Sequence, residues 1–483
     1  MAGSGSGVVL GIDLGTTAAK AVALDLDSCR IVASASVDHP THSTPDGAHE
    51  QDPDGWWDAV RSAARRVCDI LPESPVAVGL TGQMHSLLLL DGRLDPVRAA
   101  MTWADRRVDD AAMRLRRVGL FRERVGNFPV SAFTAPKLAW LAEADPDALA
   151  RARHLLLAKD WIGLRLTGEL ATDRTDALGT LLWDPTTRMW DAELFAACGA
   201  DASLGVPVLS STERSGLVTE EASRATGIPA GTPVVVGAGD VPASTLGGGA
   251  SVGRTMCMNV GTAAQVTAFT DRRSIGTGFT FGDPLGDGFI AMASVYAAGA
   301  SLRLFEEERL GGSTIGSFEA GVPVGARGTG YLPFRFGMTV PRAIDAVRDE
   351  FFGRPGGLAE QSAAVVEGVA FACADAIEAV AGEAGSPGRL VIVGGVTKSR
   401  RFREALVSTV AQRVVHMPEA GSGLGGALLA ALGTGLIDGP DAVFDRLVAT
   451  EIEPPAEVGG YREARERFRL RVEDVIARFE GEL

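Results

Sequence analysis

The sequence has no unbroken run of 18 apolar residues, so no membrane-spanning helix is expected. The opening MAGSGSG has no basic residue ahead of an apolar run and leads directly into a strand pattern, so no secretory signal is expected either. Cysteine is scarce. Cys29, Cys68, Cys198, Cys257 and Cys373 are scattered, odd in number, and form no CxxC pair or Cys/His cluster. That argues against a disulfide scaffold or a thiolate metal centre, and leaves reduced thiols in a cytoplasmic enzyme as the expectation. Basic residues are in deficit: 46 Lys and Arg against 61 Asp and Glu give a formal net charge of −15. A chain of that sign is unsuited to nucleic acid or an anionic membrane as its main partner. A nucleotide site remains open to it, because backbone N–H groups, a helix N-terminus and Mg2+ hold phosphates with few basic side chains.

Glycine, by contrast, is abundant, with 60 residues clustered in short runs beside apolar stretches. Such runs suit tight turns and close approach of backbone to a ligand. At 483 residues, 46% of them hydrophobic, the chain is long enough for two domains with separate cores.

The apolar run 8–12 ends at Asp13, Gly15-Thr16-Thr17 makes a turn, and 18–25 reads as a second strand, with a third near 31–37. This is a hairpin, not the strand–turn–helix of a Walker A or Rossmann unit. Residues 56–70 have helical spacing, 76–80 form a short strand followed by Thr81-Gly82-Gln83-Met84-His85, and 105–166 are mainly helical. The strand 233–236 runs into Gly237-Ala238-Gly239-Asp240, and 245–250 is a glycine-rich connection. A strand at 255–260, Gly261-Thr262 and a strand at 265–269 repeat the opening layout, a weak internal duplication. Beyond these lie a long helix at 358–381, a strand at 390–393 closed by Gly394-Gly395, a small-residue helix at 424–436 and an amphipathic helix at 461–480.

Asp13 at a strand end, with Gly15, Thr16 and Thr17 behind it and Lys20 on the next strand, has the composition to hold phosphate oxygens and, through water, Mg2+. The plainer reading is a hairpin whose Asp and Thr satisfy turn backbone. Asp240 stands among residues with almost no side chain, which leaves room for a hydroxyl whose proton it would accept. The alternative there is a turn Asp or a helix N-cap. Gly261-Thr262 repeats the strand–GT pattern, and Gly394-Gly395-Val396 would let backbone approach an adenosine. His85 has the chemistry for a sugar contact, although a lone His is more often structural.

Several ordered strings carry a resemblance. They are Glu50-Gln51-Asp52-Pro53 with Trp56-Trp57, Gly82-Gln83-Met84-His85, Phe133-Thr134-Ala135-Pro136-Lys137-Leu138, Lys159-Asp160, Leu166-Thr167-Gly168-Glu169 and the segment 172–179. Over roughly residues 8–435 the chain resembles the FGGY carbohydrate kinases, and among them the bacterial xylulokinase branch. The resemblance implies an α/β fold of two actin-like (ribonuclease H-like) domains flanking a cleft, here 1–248 and 249–483. It implies phosphate loops at Asp13–Thr17 and Gly261-Thr262, with Mg2+ at Asp13 and Asp240. It implies an adenosine motif at Gly394-Gly395-Val396 with the stretch 421–426 nearby, and Asp240 as the proton acceptor. Met84, His85, Trp103 and Asp105 would contact the sugar. The implied reaction is ATP-dependent phosphorylation of a ketose, D-xylulose to D-xylulose 5-phosphate, in an enzyme whose relatives are often homodimers. Val241, where xylulokinases usually carry Asn, and the segment Phe334-Arg335-Phe336-Gly337-Met338-Thr339-Val340-Pro341 depart from the pattern. They keep two alternatives open: a kinase for another ketose or polyol such as sedoheptulose, and a catalytically weak sugar-binding regulator.

Overall fold

The computed structural model describes residues 6–249, 253–273, 278–344, 346–447 and 449–480. Residues 1–5 of the opening segment and Ala250 of the glycine-rich connection lie outside them. Two compact α/β units result, and neither is one run of sequence. The first comprises Met1–Gly247, Phe281–Gly288 and Glu419–Leu447; the second comprises Gly248–Thr280, Phe289–Pro418 and Val448–Leu483. Consecutive halves at 1–248 and 249–483 therefore differ from the units in the two later stretches that return to the first. Among the described residues no helix is long and apolar enough to cross a membrane.

The first unit is built on a six-stranded sheet in the order Arg214–Leu217, Pro233–Gly239, Ala77–Gly82, Val8–Leu14, Ala18–Asp25, Arg30–Asp38. The opening hairpin runs past Asp13, because Asp13 pairs with Lys20 and Leu14 with Ala19. Alternation along the first strand sorts its side chains between two faces. Leu10, Ile12 and Leu14 join a buried cluster with Trp56, Val60 and Val67 of the helix Pro53–Cys68. That helix starts where Asp52 accepts from the Asp54 N–H and Pro53 supplies a ready-made first turn.

The other face carries Gly11 and Asp13, and on the neighbouring strand Gly79. A Cβ at Gly11 would overlap the Gly423 carbonyl oxygen, and one at Gly79 the Gly426 carbonyl oxygen. The helix Ser422–Gly433 thus lies directly on backbone, which explains its small-residue composition. The expected glycine-rich connection at 245–250 is instead helical as far as Gly247. Helix Asp240–Gly247 meets Ser422–Gly433 through the same device: a Cβ at Gly247 would strike the Gly421 oxygen, and one at Gly425 the Ala243 oxygen. Gly79→Ala is expected to cost about 1–3 kcal/mol or more through overpacking, read as a lower urea midpoint. Gly382→Ala, in the helix Leu358–Ala384 with open space around its Cβ position, is the control and is expected to be neutral or stabilising.

The second unit holds Phe289–Val295, Ala264–Thr270, Thr255–Val260, Arg389–Val393 and Arg413–His416 as adjacent strands of a seven-stranded sheet, with Thr450–Glu451 at one end. Two antiparallel pairings followed by two parallel ones give the same topological order as in the first unit. The duplication is thus a matter of connectivity more than of residues. The helix Leu358–Ala384 packs Val365, Val366, Val369 and Phe371 into the core of this unit and stops at Gly385, whose φ of 78° a residue with a Cβ would resist.

Candidate active site

Three parallel strands of the first unit end side by side. Asp13 lies opposite Thr81, and Leu14 and Gly239 both lie opposite Gly82. This register gathers the first turn, the Met84-His85 turn and Asp240, which are far apart in sequence. Asp13 Oδ2 accepts a hydrogen bond from Ser422 Oγ at 2.6 Å, while Oδ1 is buried with no hydrogen-bond partner among the described residues. Burial raises Asp13 above the usual carboxylate range, opposed by that bond and by the Lys20 ammonium. The turn itself is braced: the Gly15 N–H donates to Ala18 O at 3.0 Å, and Thr16 O accepts from Gln51 Nε2 at 2.7 Å. Gln51 Oε1 accepts in turn from Trp56 Nε1 at 2.8 Å and from Gln83 Nε2 at 2.7 Å. Thr17 and Lys20 are exposed.

Met84 is buried and lies against Gly239, where a Cβ would come 2.5 Å from its Cγ. His85 adopts a left-handed backbone (φ 69°), a costly conformation for a residue with a side chain. Its ring packs edge-on to Phe133 at 4.6 Å and lies 5.9 Å from Phe281. His85 Nδ1 bonds Gly179 O at 2.8 Å; a carbonyl only accepts, so Nδ1 carries the proton and Nε2 the free lone pair. Burial, reinforced by the Lys137 ammonium, pushes the imidazole down to about 3. The unfolded chain takes this proton near 6.5, so the stability tied to a neutral His85 is complete above about 6.5 and lost as pH falls toward 3. The His85 imidazole resonances are expected to stay unshifted between about pH 5 and 8; titration near 6.5 would sink this assignment.

Asp240 opens its helix, and its Oδ1 accepts from the Val241 N–H at 2.8 Å, so the turn reading is also realised. Burial first, and the nearby Asp13 carboxylate second, push Asp240 up to about 7. Trp103 is exposed and donates from Nε1 to Thr16 Oγ1 at 2.9 Å, which ties it to the first turn. Asp105 departs from expectation. It is fully buried, accepts from the His49 N–H at 3.1 Å, and is gripped by Arg107 through Nε at 3.0 Å and Nη2 at 2.5 Å. A carboxylate with both oxygens so engaged has no face for a sugar. It braces the Trp103 loop instead.

In the second unit the strands Thr255–Val260 and Arg389–Val393 run parallel, with Asn259 opposite Val393. Gly261-Thr262 and Gly394-Gly395-Val396 therefore emerge together. Gly394 has a φ of 105°, and a Cβ there would come 2.5 Å from Val260 O. The helix Ala298–Arg309 starts on the same turn: Gly299 N–H donates to Gly261 O and Ala300 N–H to Thr262 O, each at 3.0 Å. The sequence reading missed Gly299 and Ala300, although Ala297-Ala298-Gly299-Ala300 directly after a strand was the available signal. It also gave Ser422, inside the stretch 421–426, no role of its own; the structure sets its hydroxyl on Asp13 in the first unit. Gln51 and Gln83, which stand in the strings that carry the resemblance, brace the first turn from behind.

No group of three His, Cys, Asp or Glu side chains among the described residues forms a metal cage. The unpartnered Asp13 Oδ1 and the neighbouring Asp240 do fit a hydrated Mg2+, which keeps most of its waters and needs only one or two carboxylates.

Residues 8–247 match the model of the N-terminal domain of the FGGY family of carbohydrate kinases. The xylulose kinase of Streptomyces rubiginosus is 33% identical over 90% of this chain and 89% of its own length. The crystal structure of a xyloylose kinase from Brucella ovis superposes with a TM-score of 0.89 at 29% identity, covering 98% of this chain and all of that one (100%). A gluconate kinase from Lactobacillus acidophilus reaches the same TM-score, 0.89, at 24% identity over 98% of this chain and 99% of its own; that likeness concerns the fold alone.

Proposed function

The chain belongs to the FGGY family of carbohydrate kinases, and from that membership we propose that it transfers the γ-phosphoryl group of ATP to D-xylulose, giving D-xylulose 5-phosphate. The observation that carries the proposal is Asp240. A carboxylate held at about 7 stands where three parallel strands end, beside Met84 and His85. An acceptor of that basicity takes a hydroxyl proton efficiently near neutral pH. In this reading Asp240 accepts the proton of the attacking hydroxyl, His85 Nε2 accepts a hydrogen bond from a second hydroxyl, and Met84 and Trp103 bound the sugar. The first turn, Gly15-Thr16-Thr17 with Lys20, and the second-unit turn, Gly261-Thr262, hold phosphates through backbone N–H groups and hydroxyls. Gly394-Gly395-Val396 lets backbone approach the adenosine. Asp13 and Asp240 would hold Mg2+, which when bound neutralises phosphate charge.

The first unit is thus the sugar side, and the second carries the second phosphate loop and the adenosine loop. We place the enzyme in the cytoplasm as a homodimer, which light scattering on the purified chain tests.

A coupled ADP-release assay over ketoses, pentitols and heptuloses tests the substrate, with D-xylulose expected to give the highest kcat/KM. Val241 supports a second reading, because it puts an apolar side chain directly after the base. Turnover confined to a heptulose would favour a sedoheptulose kinase. Sugar binding without any ADP release would favour a regulator.

A further inference from the structure

A polar cluster behind the site takes no part in the chemistry above. Lys159 is 1% exposed and contacts three fully buried carboxylates: Asp160 at 2.6 Å, Asp173 at 2.9 Å and Asp176 at 3.2 Å. The other oxygen of Asp173 accepts from the Thr175 N–H at 2.8 Å, from Thr175 Oγ1 at 2.7 Å and from Ser211 Oγ at 2.7 Å. Thr175 Oγ1 also accepts from the Gly239 N–H at 3.0 Å. The proton order is fixed by chemistry. An amide only donates, so the Thr175 hydroxyl must spend its proton on Asp173.

The Gly239 N–H needs this acceptor because its strand has lost regular pairing. Register with Ala77–Gly82 shifts between Val235 and Ala238, and Gly237 takes a φ of 78°. The Gly237 N–H is caught by Ser211 O at 3.2 Å, and the Gly239 N–H by Thr175. The same cluster therefore grips the irregular strand end at two points, and the second is the N–H of the residue before Asp240.

We infer that Thr175 is a positioning residue for Asp240, acting through the Gly239 amide and itself anchored by the Lys159–Asp173 pair. The inference rests on Asp240 being the base. Without the hydroxyl, Gly239 N–H and Asp173 both lose a partner in a dry site, and the strand end relaxes. Displacement of a base by a fraction of an ångström to 1 Å costs up to about 100-fold in rate.

The test is a double-mutant cycle on the full-length chain with the best sugar of the panel. Thr175→Val keeps the shape and removes the hydroxyl; kcat is expected to fall about 10- to 100-fold with KM for ATP unchanged. Thr175→Ser restores the hydroxyl and is expected to bring kcat back. In an Asp240→Asn background, adding Thr175→Val is expected to change the residual rate by less than about 2-fold, because a residue acting through the base has nothing left to position. Wild-type kcat in Thr175→Val, or losses that simply multiply in the double variant, overturns the inference and leaves the base intact. Near-full turnover in Asp240→Asn overturns the base reading itself. Should Thr175→Val fail to fold, Thr175→Cys keeps the shape and a weak acceptor; it must then show an intermediate kcat, and wild-type kcat overturns the inference equally.

Discussion

Asp240→Asn is expected to lower kcat by about two to four orders of magnitude, the usual worth of a positioned general base, while the dissociation constant for ATP stays within a few-fold. The substitution keeps the size of the side chain, and the amide oxygen can still accept from the Val241 N–H, so the bond that seats the side chain persists. What disappears is the capacity to take a proton. Asparagine also removes the carboxylate that the nearby Asp13 charge helps to raise, and leaves Asp13 as the one carboxylate of the pair. Single-turnover kinetics with saturating sugar, set beside nucleotide binding by calorimetry, separates the two quantities. Retention of more than about a tenth of wild-type kcat would remove Asp240 from the role of base.

Lys159→Met is expected to be the most damaging single change to stability. It leaves Asp160, Asp173 and Asp176, all buried, without their cation. Breaking a buried pair in this one-sided way costs about 3–5 kcal/mol, a large part of the 5–15 kcal/mol that typically holds a domain folded. In the intact protein burial opposes the Lys159 charge, but the three carboxylates outweigh it and hold the ammonium well above its ordinary range. Burial already raises Asp160 and Asp176, with Lys159 as the main opposing influence. Losing that influence raises them further. Groups whose folded pKa exceeds the unfolded value stabilise at low pH and lose that contribution as pH rises. The variant is therefore expected to gain urea resistance as pH is lowered from 8 toward 5, against the trend set by His85. A wild-type midpoint at neutral pH would show that the cluster is already neutralised by protons rather than by Lys159.

The parts of the fold written locally were readable from sequence. The opening hairpin is an apolar run, a Gly-Thr-Thr turn and a second apolar run, and its strands fall where expected but for the extension through Asp13 and Leu14. The strand ends bearing Gly82, Gly239, Gly261 and Gly394 were readable for the same reason, since glycine after an apolar run marks a chain that stops or turns. What joins these ends was not local. Asp240 earns its place only because Gly239 and Leu14 flank the same Gly82, a fact of sheet order. The surroundings of Asp105 were not legible, because its partners, His49 and Arg107, belong to a network closed by folding. Ser422 escaped notice because its contact, Asp13, lies at the other end of the chain. Thr175 stands inside the segment 172–179 that carries the resemblance but has no role legible there: Asp173 reads as a helix cap, and it does cap Arg174–Gly179, accepting from the Thr175 N–H. The Thr175 bond to Gly239 is invisible until the strand end is seen to be irregular.

The return of helix Ser422–Gly433 to the first unit bears on how the protein is made. The segment matched as the family's N-terminal domain ends at residue 247, yet the sheet it forms has one face paved with glycine and closed by a helix that begins at Ser422. A ribosome adding roughly 5–20 residues per second leaves that face bare for ten seconds or more after residue 247 has emerged. During that interval Asp13 has no Ser422 to bond, and the strand ends that carry Asp13, Gly82 and Gly239 lack their backing. Nascent chains paused near residue 247 would thus display a bare sheet face, a natural client surface for holding chaperones, and the face is closed only in about the last eighth of translation.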